Sequence, residues 1–199
     1  SDLRGCVNLG WLHQAGAGVP QDASAAKRLY EQGCEGGNAL GCNNLGALYD
    51  EGIGMTADPA RAATYYDRAC QGGNQRACTS LAWMLQQGRG VTRDLARALT
   101  LDEAACDGGN ALACNNAAWI YNESPDHPHD RARAVALYGR GCDGENALAC
   151  VNLGSMYQHG VGVAVDVARA RALYARGCDL RMPAGCQLRD RIDHPTPGE

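Results

Sequence analysis

Eleven cysteines offer the most chemistry in this sequence, and their spacing says which chemistry it is. They stand at Cys6, Cys34, Cys42, Cys70, Cys78, Cys106, Cys114, Cys142, Cys150, Cys178 and Cys186, with gaps that alternate 28 and 8 without a break. Thiols can ligate zinc, but a structural zinc site wants four convergent ligands, commonly Cys-x2-Cys pairs joined by a second pair or by histidines. No Cys-x2-Cys occurs here and no histidine column accompanies the pairs. Cross-linking fits better. Two cysteines eight apart can face each other across a chain reversal, and a small residue precedes the second one each time: Gly41, Ala77, Ala113, Ala149 and Gly185. Small residues permit the Cα approach of roughly 4.4–6.8 Å that a disulfide needs. The predicted bridges are Cys34–Cys42, Cys70–Cys78, Cys106–Cys114, Cys142–Cys150 and Cys178–Cys186. Cys6 is left unpaired, because its partner by register would precede Ser1, so an upstream helix or a free thiol is expected. Dense bridging implies an oxidising compartment: periplasm, cell surface, extracellular space or another oxidising lumen.

Other residues recur with the same 36-residue step. A polar column runs Asn8, Asn44, Ser80, Asn116, Asn152. Side-chain amides can hold a peptide backbone or a carboxylate, and they can equally tie one repeat to the next. Trp11, Trp83 and Trp119 form a second column, three positions on, with Ala47 and Ser155 in the other repeats. Trp can anchor an apolar group of a partner or pack between repeats. The column His13, Tyr49, Leu85, Tyr121, Tyr157 reads as core, and Arg61, Arg97, Arg133 and Arg169 read as a solvated helix face. His127 and His129, with Asp126 and Asp130 near them, lie in a segment read as an exposed loop rather than a metal site. No Ser-x-x-Lys, Gly-x-Ser-x-Gly, His-Glu-x-x-His or strand-borne Gly-x-Gly-x-x-Gly is present, so no catalytic residue, metal or cofactor is assigned.

The elements that must position these residues are helices. Asn38, Asn74, Asn110 and Asn146 suit the N-cap of a first helix, helix A, running about twelve residues from the junction asparagine. Gly-x-Gly turns end it at Gly16–Gly18, Gly52–Gly54, Gly88–Gly90 and Gly160–Gly162, where glycine supplies positive φ. The acidic column Asp22, Asp58, Asp94, Asp130, Asp166 starts helix B, most clearly at Asp58-Pro59. Ala62, Tyr65 and Ala69 share one face of it, and Gly36-Gly37, Gly72-Gly73 and Gly108-Gly109 turn the chain into the next helix A. One segment departs from this pattern: between Tyr121 and Asp130 the Gly-x-Gly turn is replaced by Asn122 to His129, with Pro125 and Pro128. Two antiparallel helices cannot bury both faces, whereas stacked hairpins can. The fold class is therefore all-α: an α/α solenoid of 36-residue helix-turn-helix repeats with one disulfide per repeat. The expected organisation is a single repeat domain over residues 1–193, with five hairpins and a polar capping helix at about 183–192, followed by a frayed tail at 194–199.

Composition agrees. Among 199 residues there is no Phe, there are only three Trp, and there are 26 Gly, which suits closely packed helices. A net charge of −4 argues against a nucleic-acid partner, which would want a basic stripe. No apolar run approaches the roughly 20 residues of a membrane span. The opening Ser1-Asp2-Leu3-Arg4 shows no signal-peptide pattern and reads as a mature or trimmed start.

The helix A text from Cys42 to Gly52 (CNNLGALYDEG), followed by Gly54 and Asp58, resembles the Sel1-like repeat, a relative of the tetratricopeptide repeat; so does Cys150 to Val163. The cysteine pair in each unit resembles the disulfide-rich Helicobacter cysteine-rich protein family. The likeness covers about residues 3–188. It implies secreted or periplasmic proteins that act as adaptors, some described as weak β-lactamases or penicillin-binding proteins, and a mitochondrial branch linked to oxidase assembly. In such an architecture helix A lines a concave surface, and related repeats hold peptides on polar ladders there. The expected function is an exported interaction scaffold that binds a peptide, protein or envelope component through Asn8, Asn44, Ser80, Asn116, Asn152, Trp11, Trp83 and Trp119. A weak β-lactamase or penicillin-binding protein is the alternative, and a redox or metal-assembly factor a second one.

Overall fold

The computed structural model describes residues 2–124 and 130–194. Among the described residues there are eleven helices and no strand: α1 (Leu3–Ala15), α2 (Ala23–Glu35), α3 (Ala39–Glu51), α4 (Pro59–Gln71), α5 (Gln75–Gln87), α6 (Leu95–Asp107), α7 (Ala111–Glu123), α8 (Arg131–Asp143), α9 (Ala147–His159), α10 (Val167–Asp179) and α11 (Pro183–Asp193). Odd-numbered helices are helix A and even-numbered ones helix B, so the chain is an α/α solenoid of helical hairpins. Packing divides it into two compact units, residues 1–101 and 102–199. In the first, each helix from α1 to α5 packs on the next. In the second, α7 to α11 do the same, and α9 also meets α7 and α11.

Local chemistry sets the helix ends. Asn38, Asn74 and Asn146 accept from backbone N–H groups of the first turns of α3, α5 and α9, and Asn110 does so for α7. Asp22, Asp58, Asp94, Asp130 and Asp166 cap the even helices, each accepting from the N–H three residues on at 2.9–3.0 Å. Such a cap contributes about 1 kcal/mol. Gly16, Gly52, Gly88 and Gly160 end α1, α3, α5 and α9 in the left-handed region. At the end of α7 the corresponding residue is Ser124, and it is extended (φ −68°, ψ 122°). Pro125 follows it, and proline pushes the preceding residue out of helical and left-handed space. The loop still closes with the bond used elsewhere, from the Asp130 N–H to the Tyr121 carbonyl at 3.1 Å.

The return turn needs a residue at positive φ. Glycine fills it at Gly37, Gly73 and Gly109, but Glu145 (φ 65°) and Arg181 (φ 66°) occupy it in the last two turns. A left-handed non-glycine residue costs roughly 1–2 kcal/mol, and glycine returns about 0.5–1 kcal/mol of that through unfolded-state entropy. Glu145→Gly is thus expected to stabilise the chain by about 0.5 kcal/mol, read as a higher urea midpoint at constant m-value. A lower midpoint would show that Glu145 makes a contact worth more than its strain.

All five predicted disulfides are present, Cys34–Cys42, Cys70–Cys78, Cys106–Cys114, Cys142–Cys150 and Cys178–Cys186, with Cα separations of 4.5–4.7 Å. Among the described residues Cys6 has no disulfide partner. Each bridge joins the last turn of an even helix to the first turn of the next odd helix. The small residue before the second cysteine is required by this approach: a Cβ on Gly185 would stand 2.8 Å from the Cys178 backbone N.

Hairpin packing centres on a buried tyrosine in the even helices: Tyr30 and Tyr66 in the first unit, Tyr138 and Tyr174 in the second. Opposite Tyr30, Tyr66 and Tyr174 the odd helix carries glycine, and a Cβ on Gly10, Gly46 or Gly154 would come within 2.7–2.9 Å of the ring; the corresponding residue on α7 is Ala118. The sequence reading chose Ala62, Tyr65 and Ala69 as one face. The structure corrects this to Ala62, Tyr66 and Ala69, because Ala62 and Tyr66 are four apart and lie nearly in line on a helix. Tyr65 is half-buried, stacked on Tyr49 at 5.5 Å.

Candidate functional site

The sequence-derived binding residues stand three apart on the odd helices, and with the residue one turn before them they form one helix face at i, i+4 and i+7. In the first unit the rows are Arg4, Asn8, Trp11 on α1; Leu40, Asn44, Ala47 on α3; and Arg76, Ser80, Trp83 on α5. Trp11 is 56% exposed and Trp83 41%. Rings this large at such exposure are not filling gaps between repeats. Trp83 is also held in place. The Arg89 guanidinium lies 5.5 Å from its ring centroid, and is itself fixed by the Asp50 carboxylate at 3.0 Å and the Asp50 carbonyl at 3.1 Å. Arg89 is half-buried and the ring's position is set before any partner arrives, which lowers the ordering cost of binding.

In the second unit Trp119 on α7 is half-buried, and Ser155 takes the same position on α9. Leu112 and Leu148, one turn before Asn116 and Asn152, are 50% and 41% exposed, and Leu40 in the first unit is 47% exposed. This outer column of Arg4, Leu40, Arg76, Leu112 and Leu148 was missed in the sequence reading. The signal was available, since these residues keep the 36-residue step.

The polar column has a partner inside the fold. The Tyr30 hydroxyl donates to Gln14 Oε1 at 2.8 Å and that of Tyr174 to Gln158 Oε1 at 2.7 Å. Asn44, Ser80 and Asn152 are the polar side chains that face Tyr30, Tyr66 and Tyr138 from the next odd helix and partly offset the burial of their phenols. Burial pushes the phenols of these tyrosines up, Tyr66 to about 12. Asn152 also donates to Asn115 at 3.1 Å. Asn44 and Asn116 accept from their neighbours Asn43 and Asn115 at 3.2 and 3.4 Å. Asn8 is exposed.

Asn116 faces something different. Where the other even helices have tyrosine, α6 has Asp102. Its carboxyl is 1% exposed, its Oδ1 has no hydrogen-bond partner, and Asn116 is the polar side chain facing it. Burial pushes its pKa up to about 8, which Asn116 offsets only in part, so at neutral pH it is largely the protonated acid. The sequence reading did not single it out, although the break in a tyrosine column was visible.

Arginines read as solvated surface take part in packing. The Arg61, Arg133 and Arg169 guanidiniums lie 5.6, 4.9 and 4.5 Å from the ring centroids of Tyr49, Tyr121 and Tyr157. Arg97 pairs with Asp67 at 2.7 Å and Arg133 with Glu103 at 2.5 Å. A second arginine column reaches the C-terminal end of the preceding even helix: Arg68 donates to the Cys34 carbonyl at 3.1 Å, Arg140 to that of Cys106 at 2.9 Å and Arg176 to that of Asp143 at 3.3 Å. Cations there satisfy orphan carbonyls and complement the helix dipole. Tyr49, Leu85, Tyr121 and Tyr157 are buried.

Among the described residues no three of His, Cys, Asp and Glu converge to hold a metal ion. Asp126, His127 and His129 lie outside the described residues. No described helix is long and apolar enough to cross a membrane.

Stacked two-helix repeats, each closed by a disulfide at its return turn, define a helical-repeat protein that presents one face of its odd helices. The Sel1 repeat model matches residues 3–38, 39–74, 75–110, 111–146 and 147–181. The chain belongs to the Sel1 repeat family. Two solved structures, each at a TM-score of 0.90, agree on the fold. A Sel1 repeat protein from Oxalobacter formigenes is 23% identical over 96% of this chain and 76% of its own, with a TM-score of 0.90. A protective antigen of uropathogenic Escherichia coli displaying an SLR fold is 24% identical over 99% of this chain and 43% of its own, with a TM-score of 0.90. Helicobacter pylori cysteine rich protein B is 26% identical over 56% of this chain and 86% of its own, with a TM-score of 0.49. The comparison with curated proteins returned no match.

Proposed function

We propose that this chain is an exported interaction scaffold that binds a protein or peptide on the exposed face of its odd helices. The observation that carries this reading is the exposure of Trp11 and Trp83 in one column, with Trp83 held by Arg89. Large, oriented aromatic rings that cover no core are the residues that dominate interfaces. Membership of a repeat family built for protein contact supports the same reading. Export to an oxidising compartment, periplasmic or outside the cell, is supported by the five bridges, since such bonds do not persist in a reducing cytosol. The asparagine column is the weaker handle. Asn44, Ser80 and Asn152 face the buried tyrosines, and Asn152 donates to Asn115, so replacing them would disturb stacking as well as any ligand.

The test uses the oxidised chain as bait for secreted and envelope proteins of the organism that makes it. Trp11→Ala with Trp83→Ala is expected to weaken a retained partner by at least about tenfold, measured by calorimetry, with helicity and melting midpoint unchanged. Equal affinity for both forms would place the binding face elsewhere.

A further inference from the structure

On the face of the odd helices in the first unit, two arginines stand without partners. Arg4 and Arg76 are exposed and lie in the first turns of α1 and α5, two repeats apart. Among the described residues neither has an ion pair or a hydrogen bond to its side chain, whereas Arg61, Arg68, Arg89 and Arg97 of the same unit all do. A cation at a helix N-terminus is opposed by the dipole. These two therefore contribute nothing evident to the fold, in a chain whose net charge is −4. Between them, at the same position on α3, is exposed Leu40. A cleft between α1 and α3 runs along this edge, lined by Arg4, Val7, Asn8, Asn38, Ala39 and Leu40. The opposite charges on α3, Asp50 and Glu51, stand about three turns away at the far end of that helix, and Asp50 is paired with Arg89. The edge thus reads cation, apolar, cation, with amide groups behind it and the Trp column beyond.

We propose that the occupant of this edge is an acidic peptide segment crossing the odd helices in extended form, with an apolar residue centred on Leu40 and a carboxylate on each side, at Arg4 and Arg76. Neighbouring helices lie about 8–10 Å apart and an extended chain advances about 3.3 Å per residue. The two carboxylates then fall about six residues apart, with the apolar residue midway. This inference rests on the binding face proposed above and adds the chemistry of the partner.

Random twelve-residue peptides displayed on phage, selected on the full oxidised chain, provide the test. The expected winners carry Asp or Glu about six positions apart around an apolar residue. By fluorescence anisotropy their affinity should fall about fivefold to tenfold in Arg4→Gln with Arg76→Gln. It should fall by a similar factor when the peptide acids become amides, with no further loss when both changes are combined. Winners without acidic excess, or winners lost in Trp11→Ala with Trp83→Ala but indifferent to the arginines, overturn the acidic occupant and leave the binding face standing. No enrichment, or binding indifferent to the tryptophans as well, overturns both.

Discussion

Reduction of the five disulfides is expected to remove most of the folding stability of this chain. Each bridge closes a loop of sequence separation 8. In the chain-entropy model such a loop contributes about 2–3 kcal/mol. Five together approach the roughly 5–15 kcal/mol that holds a whole domain folded. The sum is an upper guide, because the return turn is already shaped by Gly37, Gly73 and Gly109 and by asparagine caps, which limit the freedom that reduction restores. Thermal melts followed at 222 nm, with and without a phosphine reductant, should differ by at least about 15 °C. The single pair change Cys106→Ser with Cys114→Ser should lower the midpoint by about 4–8 °C. A shift under about 5 °C on full reduction would mean that helix stacking alone holds the fold, and would remove the strongest reason for placing the chain in an oxidising compartment.

The second large effect is a loss of stability as pH rises, carried by Asp102. Its folded pKa of about 8 lies above the ordinary value of 3.8. Between those values the folded chain keeps a proton that the unfolded chain has released. The contribution is fully present below about pH 4, declines through the window, and is gone above about pH 8. A difference of this size between folded and unfolded pKa corresponds to about 6 kcal/mol at most. Urea denaturation at pH 5 and pH 8.5 should show the decline in the native sequence. Asp102→Asn keeps the shape and the hydrogen-bonding capacity toward Asn116 but cannot ionise, so its difference from the native chain isolates the group. Parallel pH profiles for the two proteins would show that Asp102 is charged and solvated in the folded state, contrary to its 1% exposure.

What this sequence determined by itself is everything whose cause lies within a short stretch of chain. The cysteine pairs, the asparagine and aspartate caps and the glycine turns all act over fewer than ten residues, so their types and spacing carry the geometry directly. Bridge Cys34–Cys42 follows from a reversal between two short helices, and the cap at Asp58 from a bond to Arg61 three residues on. The repeat then multiplies each local signal, which is why the fold class was legible without coordinates.

Only tertiary structure decided which face of each helix meets its neighbour, because that depends on contacts between helices rather than between residues close in the chain. Tyr66 rather than Tyr65 enters the core because packing on Gly46 selects it. Asn44 and Ser80 were legible as a column, but not that they face tyrosines 14 residues earlier. Arg68 and Arg140 reach carbonyls 34 residues away, so residues that look like solvated surface become ties between repeats. The same long-range packing leaves Trp11 and Trp83 outside and seals Asp102 inside. Sequence spacing named these residues or their columns, and exposure, which is a property of the stacked chain, decided what each of them can do.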